Sequence, residues 1–304
     1  MYKRPNIREE LNRFVRQKTA LNRLIMINLI IWLVVSAILV ITFLFKIEDE
    51  AAKDYITRLL ALPASVEILG ARPWTLITYM FLHINFWHIL FNLLWLYWFG
   101  KIFMEFLSGK HLVIVYLLGG ISGGLLYILA FNIFPVFSEA VPEAVALGAS
   151  ASVMAIVTAI SFYVPNYYIH LLFIGPVRIY YIAIILFVLD FFMIRSGNAG
   201  GHLAHIGGAI FGVAYAAMLK KGIDLSRLIK FPGRSKSTFR KSRPGESERF
   251  RKQGERPLSD EEYNSRKVKH EEKIDIILDK ISKSGYDSLS KEEKEYLFKE
   301  SRRG

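Results

Sequence analysis

Long apolar runs constrain this chain more than any other feature. Leu24 to Phe45 contains no charged side chain, and further apolar runs follow at 82–104, 111–134, 148–164, 171–194 and 202–219. A helix that crosses a hydrocarbon core needs roughly 20 apolar residues. The bilayer offers no water to unpaired backbone groups, so such runs are expected to become helices. A signal peptide is the competing reading of the first run. Its apolar region would be short and would end at a small-residue cleavage site. This run ends in Phe43-Leu44-Phe45-Lys46 instead, and an uncleaved helix is expected. The fold class expected is all-α: a polytopic bundle of six transmembrane helices with cytoplasmic tails.

Charge marks the boundaries. The formal net charge of +12 sits mostly in the two ends of the chain. Residues 1–23 read as a basic cytoplasmic tail, 24–219 as a six-span core, 220–258 as a basic linker rich in Arg, Lys, Ser, Pro and Gly, and 259–304 as a small helical hairpin. Lys110 and Arg178 fall in turns on the side of both tails, whereas the loop after 134 carries Glu139 and Glu143. The positive-inside rule then places both termini in the cytoplasm. Basic residues that flank apolar spans meet anionic lipid, so no nucleic-acid partner is expected. In the hairpin, Ser259 with Glu262 and Ser290 with Glu293 have capping-box spacing. Gly285 can end the first helix, and Ile274, Ile277, Leu278 and Ile281 make one apolar face. So small a core points to self-association or docking through this hairpin.

The fourth run is short. A helix of that length can begin below the lipid surface if protein or a wet cavity covers its end. Residues 46–80 read as a long loop with an amphipathic part around Ile68 to Trp74, and its Trp74 and Tyr79 suit the interface.

Polar groups inside these runs carry the chemistry. Ser150 opens the fourth run between Gly148-Ala149 and Ala151, where small neighbours leave its hydroxyl uncrowded. Its backbone N–H belongs to the unpaired donors of a helix start. His205 lies in the sixth run, with His202 one turn earlier. Gly208 and Gly212 have a spacing that lets a neighbouring helix approach closely. His88 and Asn92 are four apart and share a helix face. Two donors aimed at one point suit a developing oxyanion. His83 reads as structural, bracing the long loop. With no cysteine in the chain, thiol nucleophiles and disulfides are excluded. His83, His88, His202 and His205 offer metal nitrogens, but Glu105 and Asp190 read as too near the far or terminal regions to join them, and HExxH is missing. Neither metal nor cofactor is expected. A transporter would show internal repeats, and none is visible.

His83, His88 and Asn92, then Gly148-Ala149-Ser150, then Ala204-His205-Ile206-Gly207-Gly208 resemble, in this order, the motifs of the rhomboid family of intramembrane serine proteases. The likeness covers about residues 24–219 and is closest to bacterial six-span members with a C-terminal helical appendage. It implies Ser150 as nucleophile, His205 as general base and no third acid. It implies an oxyanion hole of His88, Asn92 and the Ser150 N–H. Transmembrane-helix proteins would be the substrates, and a bacterial plasma membrane the location. A catalytically inactive relative that holds membrane clients is the alternative, and it would be expected to lack the serine or the histidine. Three positions depart from the family pattern: Thr75 stands where Arg follows Trp, Ala151 replaces a Gly, and Met154 stands where an aromatic often packs on the imidazole.

Overall fold

The computed structural model describes residues 19–171 and 174–228, and separate positions between 277 and 297. Within the first unit the chain forms nine α-helices among the described residues, here α1 (Ala20–Leu44), α2 (Asp49–Leu60), α3 (Val66–Ala71), α4 (Thr75–Thr78), α5 (Phe86–Phe106), α6 (Gly109–Ile133), α7 (Ser150–Tyr163), α8 (Ile179–Met193) and α9 (Ala199–Lys220). By length and composition, four of these can cross a membrane: α1, α5, α6 and α9. The other two apolar helices, α7 and α8, are shorter. Side chains such as Ile30, Val40, Phe91, Leu129, Phe191 and Phe192 stand exposed on this bundle. So much outward apolar surface belongs in lipid, and the protein is an integral, multi-pass, all-α membrane protein.

Short polar signals set the helix starts. Thr19 caps α1 by accepting from the Asn22 N–H at 3.1 Å. Asn85 caps α5 by accepting from the N–H groups of Trp87 at 2.8 Å and His88 at 3.3 Å. Before α6, the Ser108 N–H donates to His111 Nδ1 at 3.3 Å. Nε2 of that ring meets Asp224 Oδ1, beyond α9, at 3.1 Å. Burial alone would raise the Asp224 carboxyl. Hydrogen bonds from Ser226, with His111 beside it, outweigh burial and hold it below its ordinary range. In α1, Asn28 is fully buried and donates to Tyr116 Oη at 3.0 Å, and Tyr116 in turn donates to the Met80 carbonyl at 3.1 Å. One buried amide thus ties α1 to α6 and to the segment before α5.

Small residues set the helix spacing. A Cβ on Gly208 would run into the Ala151 carbonyl of α7, and one on Gly212 into Ala155 and Thr158 of the same helix. The close approach expected from the Gly208–Gly212 spacing is therefore made, and α7 is the partner. A Cβ on Gly123 of α6 would likewise stand only 2.6 Å from the Ala151 side chain. Every residue of α7 from Ala151 to Ser161 is buried as a result.

Two segments differ from the sequence reading. The 46–80 region is not one loop but carries α2, α3 and α4. Ser65 caps α3 by accepting from the Ile68 N–H at 3.3 Å. Strand β1 (Leu62–Pro63) pairs antiparallel with β2 (Val145–Ala146), which fastens this region to the approach to Ser150. The Trp74 indole donates to the Leu59 carbonyl at 2.9 Å, and the Arg72 guanidinium donates to the Arg58 carbonyl at 2.6 Å. An arginine two residues before the tryptophan thus anchors the region, while Thr75 is buried and donates to the Arg72 carbonyl at 2.7 Å. The second difference is the late start of α8. Strands β3 (Tyr168–Leu171) and β4 (Gly175–Arg178) form a hairpin first. Gly175, at a φ of 90°, and the following Pro176 stop any helix from running through.

In the second unit, Ser290 and Glu293 make the expected capping box. The Ser290 N–H donates to Glu293 Oε2 at 2.7 Å, and the Glu293 N–H donates to Ser290 Oγ at 3.2 Å. Lys280 pairs with Glu293 at 2.9 Å. Gly285 has a φ of 76°, as a helix-ending glycine needs. Ile277 is buried and Ile281 partly so. The other expected positions, Ser259, Glu262, Ile274 and Leu278, lie outside the described residues, as does most of the 220–258 linker.

Candidate active site

The site forms where α7 begins. Ala149 caps this helix without a side-chain bond, and Ser150 is its first residue. Helix-start N–H groups have no partner one turn back, so the Ser150 N–H is placed to receive an anion. The turn before it requires Gly148. Its φ is 111°, and a Cβ there would meet the His88 ring at 2.6 Å. The His88 imidazole thus lies against the backbone that presents Ser150.

His83 is fully buried and fixes the same turn from the other side. Its Nε2 accepts from the Ala149 N–H at 3.2 Å, and its Nδ1 faces the Phe81 carbonyl at 3.3 Å. A carbonyl only accepts, so the ring proton sits on Nδ1. His83 is structural, but it braces the Gly148-Ala149 turn rather than the 46–80 region. Its ring lies 5.1 Å from that of His88, edge to face.

Four expected residues meet at one cavity of about 700 Å³: His88, Asn92, Ser150 and His205 all line it. Met154 and Asp190 share the wall. Asn92 donates to the His88 carbonyl at 2.9 Å through its side-chain amide. That amide has a second N–H. Ser150 and His205 face one space, yet among the described residues no hydrogen bond joins them. Catalytic hydrogen bonds are often long without substrate and tighten when it binds.

Asp190 is the residue that sequence reasoning missed. Its Oδ1 lies 2.9 Å from His205 Nδ1 and 2.8 Å from His202 Nδ1. Asp190 is buried on α8, one of that helix's few buried residues. The expectation that Asp190 lies too far from the histidines was therefore wrong. The hairpin delays α8 and the short connection to α9 folds its end back, which sets residue 190 beside residues 202 and 205. A signal was available, since an aspartate in an apolar span must find a partner. With a carboxylate at Nδ1, the His205 ring proton is held there, which leaves Nε2 with a lone pair.

Comparison with known proteins finds two family matches and curated relatives. A Rhomboid domain family model matches residues 70–222. A family of unknown function, DUF6576, matches residues 259–303. RHOMBOID-like protein 12, mitochondrial, of Arabidopsis thaliana is 31% identical over 162 residues, covering 50% of this chain and 48% of that protein. Rhomboid protein 1, mitochondrial, of Saccharomyces cerevisiae is 26% identical over 180 residues, covering 58% of this chain and 46% of that protein. The chain spans about half the length of the curated relatives it matches.

Proposed function

The chain belongs to the rhomboid family, and we propose that it is an intramembrane serine endopeptidase that cleaves the transmembrane helices of other membrane proteins. One observation carries this reading: Ser150, His205, His88 and Asn92, drawn from three helices, line a single cavity. Six spans, with both termini in the cytoplasm of a bacterial plasma membrane, accommodate it. The shorter α7 then starts below the lipid surface, where a cavity covers its end.

The chemistry follows from the tautomer. Asp190 accepts the Nδ1–H of His205, so Nε2 is the free base. Ser150 Oγ attacks the scissile carbonyl carbon, and its proton passes to Nε2. The carbonyl π-electrons move onto oxygen. The Ser150 N–H, the second N–H of Asn92 and the His88 ring meet that charge. A donor of this kind is worth about 3–4 kcal/mol. The imidazolium, stabilised by Asp190, then protonates the leaving amine as the C–N bond breaks. Water attacks the acyl-serine with His205 as base, and the proton returns to Ser150 Oγ. Asp190 touches no substrate in this scheme and serves as a positioning residue. A substrate helix has to unwind first, because its carbonyls are already hydrogen-bonded.

Reconstitution with a single-span model substrate tests the reading. The parent chain is expected to cleave it, and Ser150→Ala and His205→Ala each to leave it intact while still folded. Cleavage by folded Ser150→Ala would reject the assignment. The unmade Ser150–His205 hydrogen bond favours one rival, an inactive client-binding protein. That rival predicts substrate capture without cleavage by the parent chain.

A further inference from the structure

We propose that Asp190, His202 and His205 form a binding site for a borderline divalent cation of the zinc type, and that occupancy switches the protease off. The off-switch rests on the proposed function, whereas the binding site does not.

Three donor atoms converge on one point. His202 Nδ1, His205 Nδ1 and an Asp190 carboxylate oxygen all lie within 4.8 Å of one another, the one such group among the described residues. The two nitrogen–oxygen separations are 2.8 and 2.9 Å. Donors about 2.0–2.1 Å from a tetrahedral zinc stand roughly 3.3 Å apart. The two nitrogen–oxygen separations thus need to open by only about half an ångström, and the two nitrogens already lie within 4.8 Å of each other. Two imidazoles and a carboxylate make an N₂O set suited to Zn²⁺, Co²⁺ or Ni²⁺ rather than to Mg²⁺ or Ca²⁺. The histidines stand three apart on α9, where helix geometry holds them on one face. Asp190 comes from α8, so a cation would cross-link two helices. Asp190 and His205 line the cavity, which gives solvent and cation a way in and offers water as a fourth ligand.

His202 distinguishes this site from the catalytic one. The proposed mechanism needs a carboxylate behind His205, and it gives no task to a second imidazole on the same oxygen. His202 does not line the cavity. Its Nδ1 is nevertheless aimed at the shared carboxylate. A cation needs that nitrogen.

Inhibition follows from proton placement. In the active ring the proton sits on Nδ1 and the lone pair on Nε2. A cation at Nδ1 takes a lone pair there, and the ring proton moves through water to Nε2. The ring stays neutral, but Nε2 can no longer accept the Ser150 proton. Metal occupancy and general-base function are then mutually exclusive at His205.

The test uses the full chain in detergent. Co²⁺ is titrated into folded Ser150→Ala, and the intense visible absorption of tetrahedral Co²⁺ is followed, with Zn²⁺ as competitor. One equivalent with that absorption is expected. His202→Ala and His202→Gln, checked for folding by thermal melting, should each weaken binding about 10–100-fold or more. In the parent chain, Zn²⁺ should block cleavage of the model substrate and a chelator should restore it. The His202 variants should need correspondingly more Zn²⁺, each measured against its own metal-free rate. No tetrahedral Co²⁺ signal, or a signal unchanged in both His202 variants, would overturn the site. Binding that leaves the cleavage rate unchanged would overturn the switch. A parent chain that binds Co²⁺ yet never cleaves would remove the proposed function and leave the binding site standing.

Discussion

Helices α7 and α8 are both short and apolar, and a hydropathy profile hardly separates them. Their surroundings are opposite. In α7 every residue from Ala151 to Ser161 is buried, against the glycines of α6 and α9. In α8 only Ile179, Ala183 and Asp190 are buried, and Phe192 is 74% exposed. One helix is solvated by protein and the other largely by lipid. The proposed nucleophile, Ser150, sits on the first and the carboxylate proposed to orient His205, Asp190, on the second. In this arrangement, packing fixes where Ser150 stands, while the Asp190 carboxylate ties α8 to His202 and His205 on α9.

That contrast is sharpest at Asp190. Asp190→Asn should lower kcat about 10²–10⁴-fold with KM little changed, because an amide can hold the wrong imidazole tautomer. Asp190→Glu should recover part of the rate. Steady-state kinetics on the model substrate separate this from a structural role, which would lower kcat and stability together. On the buried helix the expected failure is one of packing. Gly208→Ala pushes a methyl group into the Ala151 carbonyl, a rigid obstacle. It should cost about 1–3 kcal/mol, read as a lower melting temperature. On the lipid-facing helix, Phe192→Ala should change stability by less than about 0.5 kcal/mol. A large loss there would mean that α8 packs against protein on that face.

Legibility in the sequence followed the range of the interaction. Ser150, with its small neighbours and its place at a helix start, is a local pattern, as is the Gly208–Gly212 spacing, and the structure has both. His88 and Asn92 could be read together because four residues on one helix share a face. Asp190 could not be placed that way. Its partners lie on another helix, and their meeting depends on where α8 starts, which the β3–β4 hairpin decides. The 46–80 region was misread for a similar reason. Its short helices are held by tertiary bonds, such as Trp74 to the Leu59 carbonyl and Thr78 to the Leu60 carbonyl at 2.7 Å. A periodicity argument does not see such bonds. His83 follows the same rule. A structural role can be read from its place beside the long loop, but its full burial and its partner, the Ala149 N–H 66 residues away, cannot.

The proposed mechanism requires the imidazole at 205 to make the residue-150 hydroxyl nucleophilic. Treating the detergent-solubilised full chain with a fluorophosphonate, then mapping the adduct by mass spectrometry, tests it most directly. One adduct is expected, on Ser150, with labelling at least about 100-fold slower in His205→Ala. An adduct on another serine, or equal labelling rates with and without His205, would contradict it.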